Sequence, residues 1–255
     1  MKKRADILLS SQLQISREKA KSLIGEGRIR FAASLDEADQ QRVLTKASEL
    51  LEEDTLFQVV AVEEEYVSRG GLKLSGAMKV FPIHVRGKIC LDAGASTGGF
   101  TDCLLQHGAA KVYAVDVGTG QLAEKLKQDP RVISLENTNI RYLDPALIEP
   151  CDFLTADLSF ISLGLVMKPL RACLKEGAQG VLLIKPQFEA GREFLNRHGV
   201  VKDPKVHERV IRKVQQEAEE AGFLPLGVEP SPIRGGEGNQ EYLLFVTAKN
   251  GSDIS

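Results

Sequence analysis

Two lysines and two acids in this sequence stand where an amine could be held against a hydroxyl group. Lys185 ends the stretch Gly180-Val181-Leu182-Leu183-Ile184-Lys185-Pro186, in which four large aliphatic residues run straight into an ammonium group. Lysine is almost never fully buried without a partner. Either the chain leaves its sheet here and the side chain reaches water, or Lys185 faces a ligand, because strand tips in open parallel sheets are where ligands bind. Asp157 ends a second apolar run, Phe153-Leu154-Thr155-Ala156-Asp157. Glu241 opens a third, after the glycine-rich residues 234–240. Lys73 lies in Ser68-Arg69-Gly70-Gly71-Leu72-Lys73-Leu74, at the start of a helix. Taken singly, Asp157 reads as a helix cap and Lys73 and Glu241 as surface charges. Taken together, four such residues at four element ends point to one site. An amine accepts a proton only when it is neutral, and free lysine has a pKa of ~10.4. Burial or a second cation pushes that value down, and adjacent carboxylates push it up.

A parallel sheet brings such tips together. The pattern places strands at 88–92, 111–116, 132–135, 152–156 and 180–184. Helices fall at 100–106, from 117 through 125, at 163–174, and from Asp203-Pro204 to the stop at Gly222. Proline at the first helical position and glycine past the last are the expected punctuation. Strands that alternate with helices argue for a parallel sheet covered on both faces. Strands at 226–229 and 241–246 follow, the last read as an antiparallel insertion of the kind found in methyltransferases.

The first strand runs into Asp92-Ala93-Gly94-Ala95-Ser96-Thr97-Gly98-Gly99-Phe100. A glycine-rich turn lets backbone approach a ligand and opens a helix whose N-terminus favours negative groups. The spacing is GxxxGG rather than GxGxxG, and the basic residues a pyrophosphate would want are missing. Asp116 lies 22 residues beyond Gly94, at the tip of the next strand, where a carboxylate can accept hydrogen bonds from ribose hydroxyls. NAD is one reading of this turn. S-adenosylmethionine, which carries adenosine and a carboxylate but no phosphate, fits better.

Ahead of this region, Ser16 is a suitable N-cap for a helix with Ala20, Leu23 and Ile24 on one face, and Gly25 or Gly27 ends it. Arg28-Ile29-Arg30-Phe31 alternates like a strand, and residues 56–60 read as a closing strand. Residues 1–30 hold eight Lys/Arg against three Asp/Glu, whereas residues 31–65 hold two against ten. A basic segment of this kind suits a polyanion such as nucleic acid, or is a solvated helical face. The whole chain is 43% hydrophobic and 27% charged, ordinary for a soluble protein. No apolar run approaches the roughly 18 residues that span a bilayer. The basic start lacks the apolar core of a signal peptide. Cys90, Cys103, Cys151 and Cys173 form no CxxC pair and read as reduced thiols of a cytoplasmic protein. Four scattered histidines suggest no metal site.

The pattern SR..A..LI..GRIRF resembles the small RNA-binding domain named after ribosomal small-subunit protein four, over residues 4–62. It departs after Phe31, where an acidic insertion replaces the family's Asn-Gly turn. The four polar residues resemble the Lys-Asp-Lys-Glu tetrad of FtsJ/RrmJ-type RNA 2′-O-methyltransferases. With the motifs SRGGLKL, DAGASTGGF, ADLSFISL, IKPQFE and GNQEY, the whole chain is similar to the TlyA family of ribosomal RNA methyltransferases. The resemblance implies an α/β, Rossmann-like methyltransferase fold with a mostly parallel seven-stranded sheet and a small N-terminal α+β RNA-binding domain. Expected boundaries are 1–62 for that domain, 63–67 for a linker, 68–248 for the methyltransferase domain and 249–255 for a flexible tail.

It implies S-adenosylmethionine-dependent (cytidine-2′-O)-methylation of ribosomal RNA by a monomer, with no metal and no membrane. Lys73, Asp157, Lys185 and Glu241 form the tetrad, with Lys185 as the base or orienter of the hydroxyl. Residues expected to face the cofactor are Asp92, Gly94, Ala95, Ser96, Gly98, Gly99 and Phe100 in the turn. Asp116, Val117, Asn137, Thr138, Asn139 and Asp157 complete that set. RNA contacts are expected from Arg4, Arg17, Lys19, Lys21, Arg28, Arg30 and Arg69. Rival readings are a non-catalytic RNA-binding module, an NAD-dependent dehydrogenase, and a membrane-lytic protein, since members of this family are often labelled hemolysins. The last would need a long apolar segment or a strongly amphipathic basic helix, and neither is present.

Overall fold

The structure is a computed structural model that describes residues 2–25, 27–32, 42–59, 66–235 and 238–250. Residues 33–41 of the acidic insertion, residues 63–65 of the expected linker and residues 251–255 of the expected tail lie outside the described residues. Packing divides the chain into two units, Met1–Glu64 and Glu65–Ser255.

The first unit contains β1 (Lys2–Arg4), α1 (Ala5–Leu13), α2 (Arg17–Gly25), β2 (Ile29–Ala32), β3 (Arg42–Val43), β4 (Leu50–Glu52) and β5 (Leu56–Val59). β2 pairs antiparallel with β3 and β5, and β1 with β4. Ser16 caps α2: its Oγ accepts from the Lys19 N–H at 3.1 Å, which satisfies one of the donors a helix start leaves orphaned. Ala20, Leu23 and Ile24 are buried as their spacing predicts, in a core with Leu8, Leu9, Ile29 and Phe31. Under this core Asp6 is 0% exposed. Its Oδ1 accepts from Arg4 Nε at 2.9 Å and its Oδ2 from Arg17 Nη2 at 3.0 Å. These guanidiniums, Arg4 foremost, hold the carboxyl down to about 2 against the effect of burial.

The second unit contains α3 (Gly70–Val80), β6 (Ile89–Ala93), α4 (Gly99–Gln106), β7 (Lys111–Val115), α5 (Glu124–Lys127), β8 (Val132–Leu135) and β9 (Cys151–Ala156). It continues with α6 (Met167–Ala172), β10 (Leu174–Ile184), α7 (Pro186–Glu189), α8 (Pro204–Glu220), β11 (Phe223–Pro230) and β12 (Tyr242–Ala248). Seven strands form one sheet in the order β11-β12-β10-β9-β6-β7-β8. The run β10 to β8 is parallel, and β12 is antiparallel to both its neighbours, the expected insertion. Val181 and Leu183 of β10 pack with Leu74, Phe100 and Leu104 of α3 and α4. Leu182 and Ile184 pack on the opposite face with Met167, Leu170, Val210 and Val214 of α6 and α8. Covering both faces is why the strand reads as an unbroken apolar run.

Four expectations need correction. The helix expected at 163–174 is a 3-10 turn at 163–165 followed by the short α6, and Leu174 already begins β10. Pro169 has no N–H, so an α-helix can begin only within a turn of it. The helix after β7 is only the single turn α5, because Gly118 and Gly120 fall in its expected first half. Tyr66 and Val67, read as linker, belong to the second unit. Tyr66 is buried against Gly71, where a Cβ would lie 2.2 Å from the Tyr66 ring, and the Val67 N–H donates to Asp102. Lys249, read as tail, is pinned by its backbone to Gly222 and Arg171.

Replacing Asp6 with Ala should destabilise the first unit by about 1–2 kcal/mol, since charge-assisted bonds are lost but both arginines are half in water. In the parent this contribution is present above about pH 4. It fades as pH falls towards 2, because the folded carboxyl titrates below its unfolded value. Urea-dependent hydrogen exchange of α1 and α2 amides in the full chain measures both effects.

Candidate active site

Four parallel strands end along one rim of the sheet, and each delivers a residue there. β6 delivers Gly94, β7 Asp116, β9 Asp157 and β10 Lys185. β12 runs the other way, so its start rather than its end reaches this rim, and Ile184 pairs with Tyr242. That reversal sets Glu241 beside Lys185. Lys73 arrives from the first turn of α3.

The four side chains form one chain of alternating charge. Glu241 Oε2 lies 2.7 Å from Lys73 Nζ. Lys73 Nζ lies 3.6 Å from Asp157 Oδ2, and Asp157 Oδ1 lies 2.7 Å from Lys185 Nζ. The last contact is an ion pair with poor hydrogen-bond alignment, and Lys185 Nζ instead donates to Ser159 Oγ at 2.8 Å. Glu241 is 2% exposed, Lys185 8% and Lys73 9%. Charges this deep persist only when paired, and here each has an opposite neighbour.

Two cavities meet over this chain. One, of about 300 Å³, is lined by Lys73, Lys185, Arg69, Ala95, Gly99 and Phe100 among others. The other, of about 500 Å³, is lined by Asp116, Val117, Thr138, Asn139, Ile140 and Phe160 among others. Gly94, Ser96, Asp157 and Ser159 line both. Gly94 has φ +81, and a Cβ there would lie 2.5 Å from the Asp157 carbonyl oxygen, so only glycine lets the turn pass this close. Asp116 braces the turn: its Oδ2 accepts from the Ser96 N–H at 2.8 Å and its Oδ1 from the Gly118 N–H at 2.7 Å. Among the described residues no three His, Cys, Asp or Glu side chains are grouped to hold a metal ion, and no helix is long and apolar enough to cross a membrane.

The profile of the FtsJ-like methyltransferases matches residues 66–247. The chain belongs to that family. YqxC of Bacillus subtilis (strain 168) is 46% identical over 248 residues, 96% of this chain and 85% of that protein. The 16S/23S rRNA (cytidine-2'-O)-methyltransferase TlyA of Mycobacterium tuberculosis (strain ATCC 25618 / H37Rv) is 43% identical over 249 residues, 97% of this chain and 90% of that protein. A solved chain from Streptococcus thermophilus, which carries a provisional hemolysin name, is 42% identical with a TM-score of 0.76. That match covers 98% of this chain and 89% of the other.

Within this FtsJ-like unit most residues predicted from the sequence reach the two cavities, but not all. Glu241 lines neither and reaches the site through Lys73, and Asp92 also lines neither. It is 0% exposed beneath the turn, where Thr101 and Thr155 hydroxyls donate to it at 2.6 and 2.9 Å. With no cation to offset it, burial pushes the Asp92 carboxyl up to about 6. Gly98, at φ +95, supplies the N-cap of α4 rather than a cavity wall. Asn137 accepts from the Thr119 hydroxyl at 2.6 Å and orders the loop behind Thr138 and Asn139. Arg69 lines the smaller cavity.

In the N-terminal unit Arg4 and Arg17 are partly engaged by Asp6. Lys19, Lys21 and Arg30 are exposed without an ion-pair partner among the described residues, and Arg28 is half-buried. Sequence reasoning missed Ser159, Gln187 and Glu189. Gln187 Nε2 donates to Glu241 at 3.4 Å. Glu189 accepts from the Ser162 hydroxyl and the Leu163 N–H, which ties α7 to the loop after Asp157. Ser159 and Gln187 each stand two residues beyond a tetrad member, which was the available signal.

A carboxyl whose folded pKa is raised contributes stability that falls as pH climbs from about 4 to about 6 and is flat above. Asp92→Asn should erase that slope. Urea midpoints of the full chain from pH 4 to 7 measure it, and an unchanged slope would assign the titration to another group.

Proposed function

We propose that this chain transfers a methyl group from S-adenosylmethionine to the ribose 2′-hydroxyl of a cytidine in ribosomal RNA, acting in the cytoplasm. The observation that carries the reading is the buried chain Glu241–Lys73–Asp157–Lys185 at the junction of two cavities. TlyA, similar over nearly the full length, is named for this activity. The larger cavity suits the cofactor by its chemistry. It holds Asp116 for ribose hydroxyls, amides and hydroxyls for an adenine, and, among the described residues, no Lys or Arg to receive the pyrophosphate of NAD. When bound, S-adenosylmethionine supplies the electrophile, a methyl group on a sulfonium.

The protein's own residues prepare the acceptor. Lys185 takes or orients the hydroxyl proton, a role open to it only as the neutral amine. Asp157 and Ser159 fix where its nitrogen sits. Lys73 shares the Asp157 carboxylate with Lys185, and Glu241 in turn neutralises Lys73. Holding hydroxyl and methyl donor in line then carries much of the rate. In the N-terminal unit, Lys19, Lys21 and Arg30 supply phosphate contacts, with Arg28 and the outward donors of Arg4 and Arg17. The intact chain of four charges favours an enzyme over a non-catalytic RNA-binding module.

Lys185→Ala should abolish methylation of ribosomal RNA while S-adenosylmethionine affinity, read by calorimetry, stays within about twofold. Lys185→Arg should also be inactive, because a guanidinium does not give up its proton. Ribose-methylation mapping of ribosomal RNA made with and without the chain identifies the acceptor. A wild-type rate in Lys185→Ala would sink the assignment.

A further inference from the structure

The segment between α7 and α8 and the segment before β12 enclose a third cavity, of about 920 Å³. It adjoins the cavity that holds Lys73 and Lys185, because Arg234 lines both. Lys202 and His198 also line it. Residues 192–213 carry seven Lys/Arg against three Asp/Glu in a chain of net charge −2. Lys73, Lys185 and Lys213 are each paired with a carboxylate. Among the described residues neither Lys202 nor Arg234 has one within ion-pair distance. Among the described residues the one carboxylate in the lining, Glu208, lies 3.8 Å from Arg212. Two exposed cations facing one groove, with no ion-pair partner among the described residues, suit an anion from outside.

The groove is built rather than incidental. Asn239, 2% exposed, accepts from the Val201 N–H at 3.2 Å and donates to the Gly199 carbonyl at 3.1 Å, stapling the two segments together. On the floor His207 Nε2 donates to the Val201 carbonyl at 3.0 Å, and the Tyr242 hydroxyl and His207 Nδ1 are hydrogen-bonded at 3.1 Å. These bonds make the floor polar. Of the rings in the described lining, His207 and Tyr242 are engaged with each other, and His198 Nε2 accepts from Arg197 Nε at 2.9 Å. The groove therefore offers charge and hydrogen bonds to phosphate and sugar, not a stacking platform for bases.

We infer that this groove holds the phosphodiester backbone of the RNA strand flanking the acceptor nucleotide, with Lys202 and Arg234 on its phosphates. The inference rests on the proposed function, in that the acceptor is RNA. The contacts are independent of sequence and set the register in which the hydroxyl enters the site.

The test uses the full chain and its Lys202→Glu and Lys202→Arg variants. The first readout is anisotropy of a short labelled single-stranded oligoribonucleotide over a range of salt. Lys202→Glu should weaken binding by about tenfold and flatten the slope of log affinity against log salt by about one, as loss of a phosphate contact does. Lys202→Arg should restore both. The second readout is methylation of unmodified ribosomal RNA, where Lys202→Glu should raise KM for RNA with kcat and S-adenosylmethionine affinity near the parent's. Unchanged affinity and slope would overturn the groove. So would cytidine monophosphate displacing the oligonucleotide at equal concentration, which would mark a pocket for a free nucleotide. A parent that binds the oligonucleotide as described but methylates no RNA would sink the proposed function and leave the groove standing.

Discussion

An ammonium group cannot stay buried without a counter-charge, and that constraint organises the catalytic unit. Lys73 and Lys185 are nearly inaccessible, as is Glu241. Each is tolerable only because the next charge in the series is opposite and within 3.6 Å. Removing any member would strand its neighbours, so the chain of four is a geometric lock as well as the proposed set of reactive groups. It ties the start of α3 to the ends of β9 and β10 and to the start of β12. The lock depends on the antiparallel course of β12. Were that strand parallel to β10, its first residue would lie at the opposite rim, and Lys73 would have to be paired from elsewhere.

The two units show what a counter-charge decides for a buried acid. Asp6 and Asp92 are the same residue type, and both are fully inaccessible. Asp6 meets two guanidiniums and its carboxyl is held down to about 2. Asp92 meets two hydroxyls and burial pushes its carboxyl up to about 6. Asp92 lies far deeper than Asp6, and hydroxyl donors stabilise a carboxylate less than a full positive charge does, so desolvation wins there. The same comparison shows why arginines counted along a basic segment overstate its free charge. Arg4 and Arg17 are partly consumed in making the fold possible, so the cationic surface of that unit falls more on Lys19, Lys21 and Arg30.

Much of this was legible in the sequence wherever periodicity or punctuation carried it. Continuous apolar runs located the parallel strands, and a polar residue closing each run located the rim. Lys185 at the end of Val181–Ile184 was a sufficient clue, because an ammonium after four buried aliphatics demands a partner. What stayed hidden lies where neither signal operates. Asp92 sits beside the glycine turn as a ligand-binding acid would, and only the position of Thr101 and Thr155 reveals that it faces inward. Glu189 acts through a backbone N–H and a hydroxyl in a distant loop, a contact no local spacing encodes. Tyr66 was read as linker because its pocket exists only through the missing side chain of Gly71.

The sorting of charge among the cavities accounts for the choice of a carboxylate at position 157. The cavity that holds Asp116 sets acids, amides and hydroxyls among apolar side chains, while the one that holds Lys185 presents two ammonium groups. On the proposed reading, a sulfonium in the first and the ammonium groups of the second would repel one another across a short, poorly screened distance. Asp157 is the one charged residue that lines both. It contacts both amines, at 3.6 and 2.7 Å, so on that reading its charge offsets the repulsion. A serine or asparagine there could keep the hydrogen bonds but not the charge. Lys202 and Arg234 of the third cavity, without an ion-pair partner among the described residues, then need none from within, because on the proposed reading the RNA strand arrives with its own negative charge.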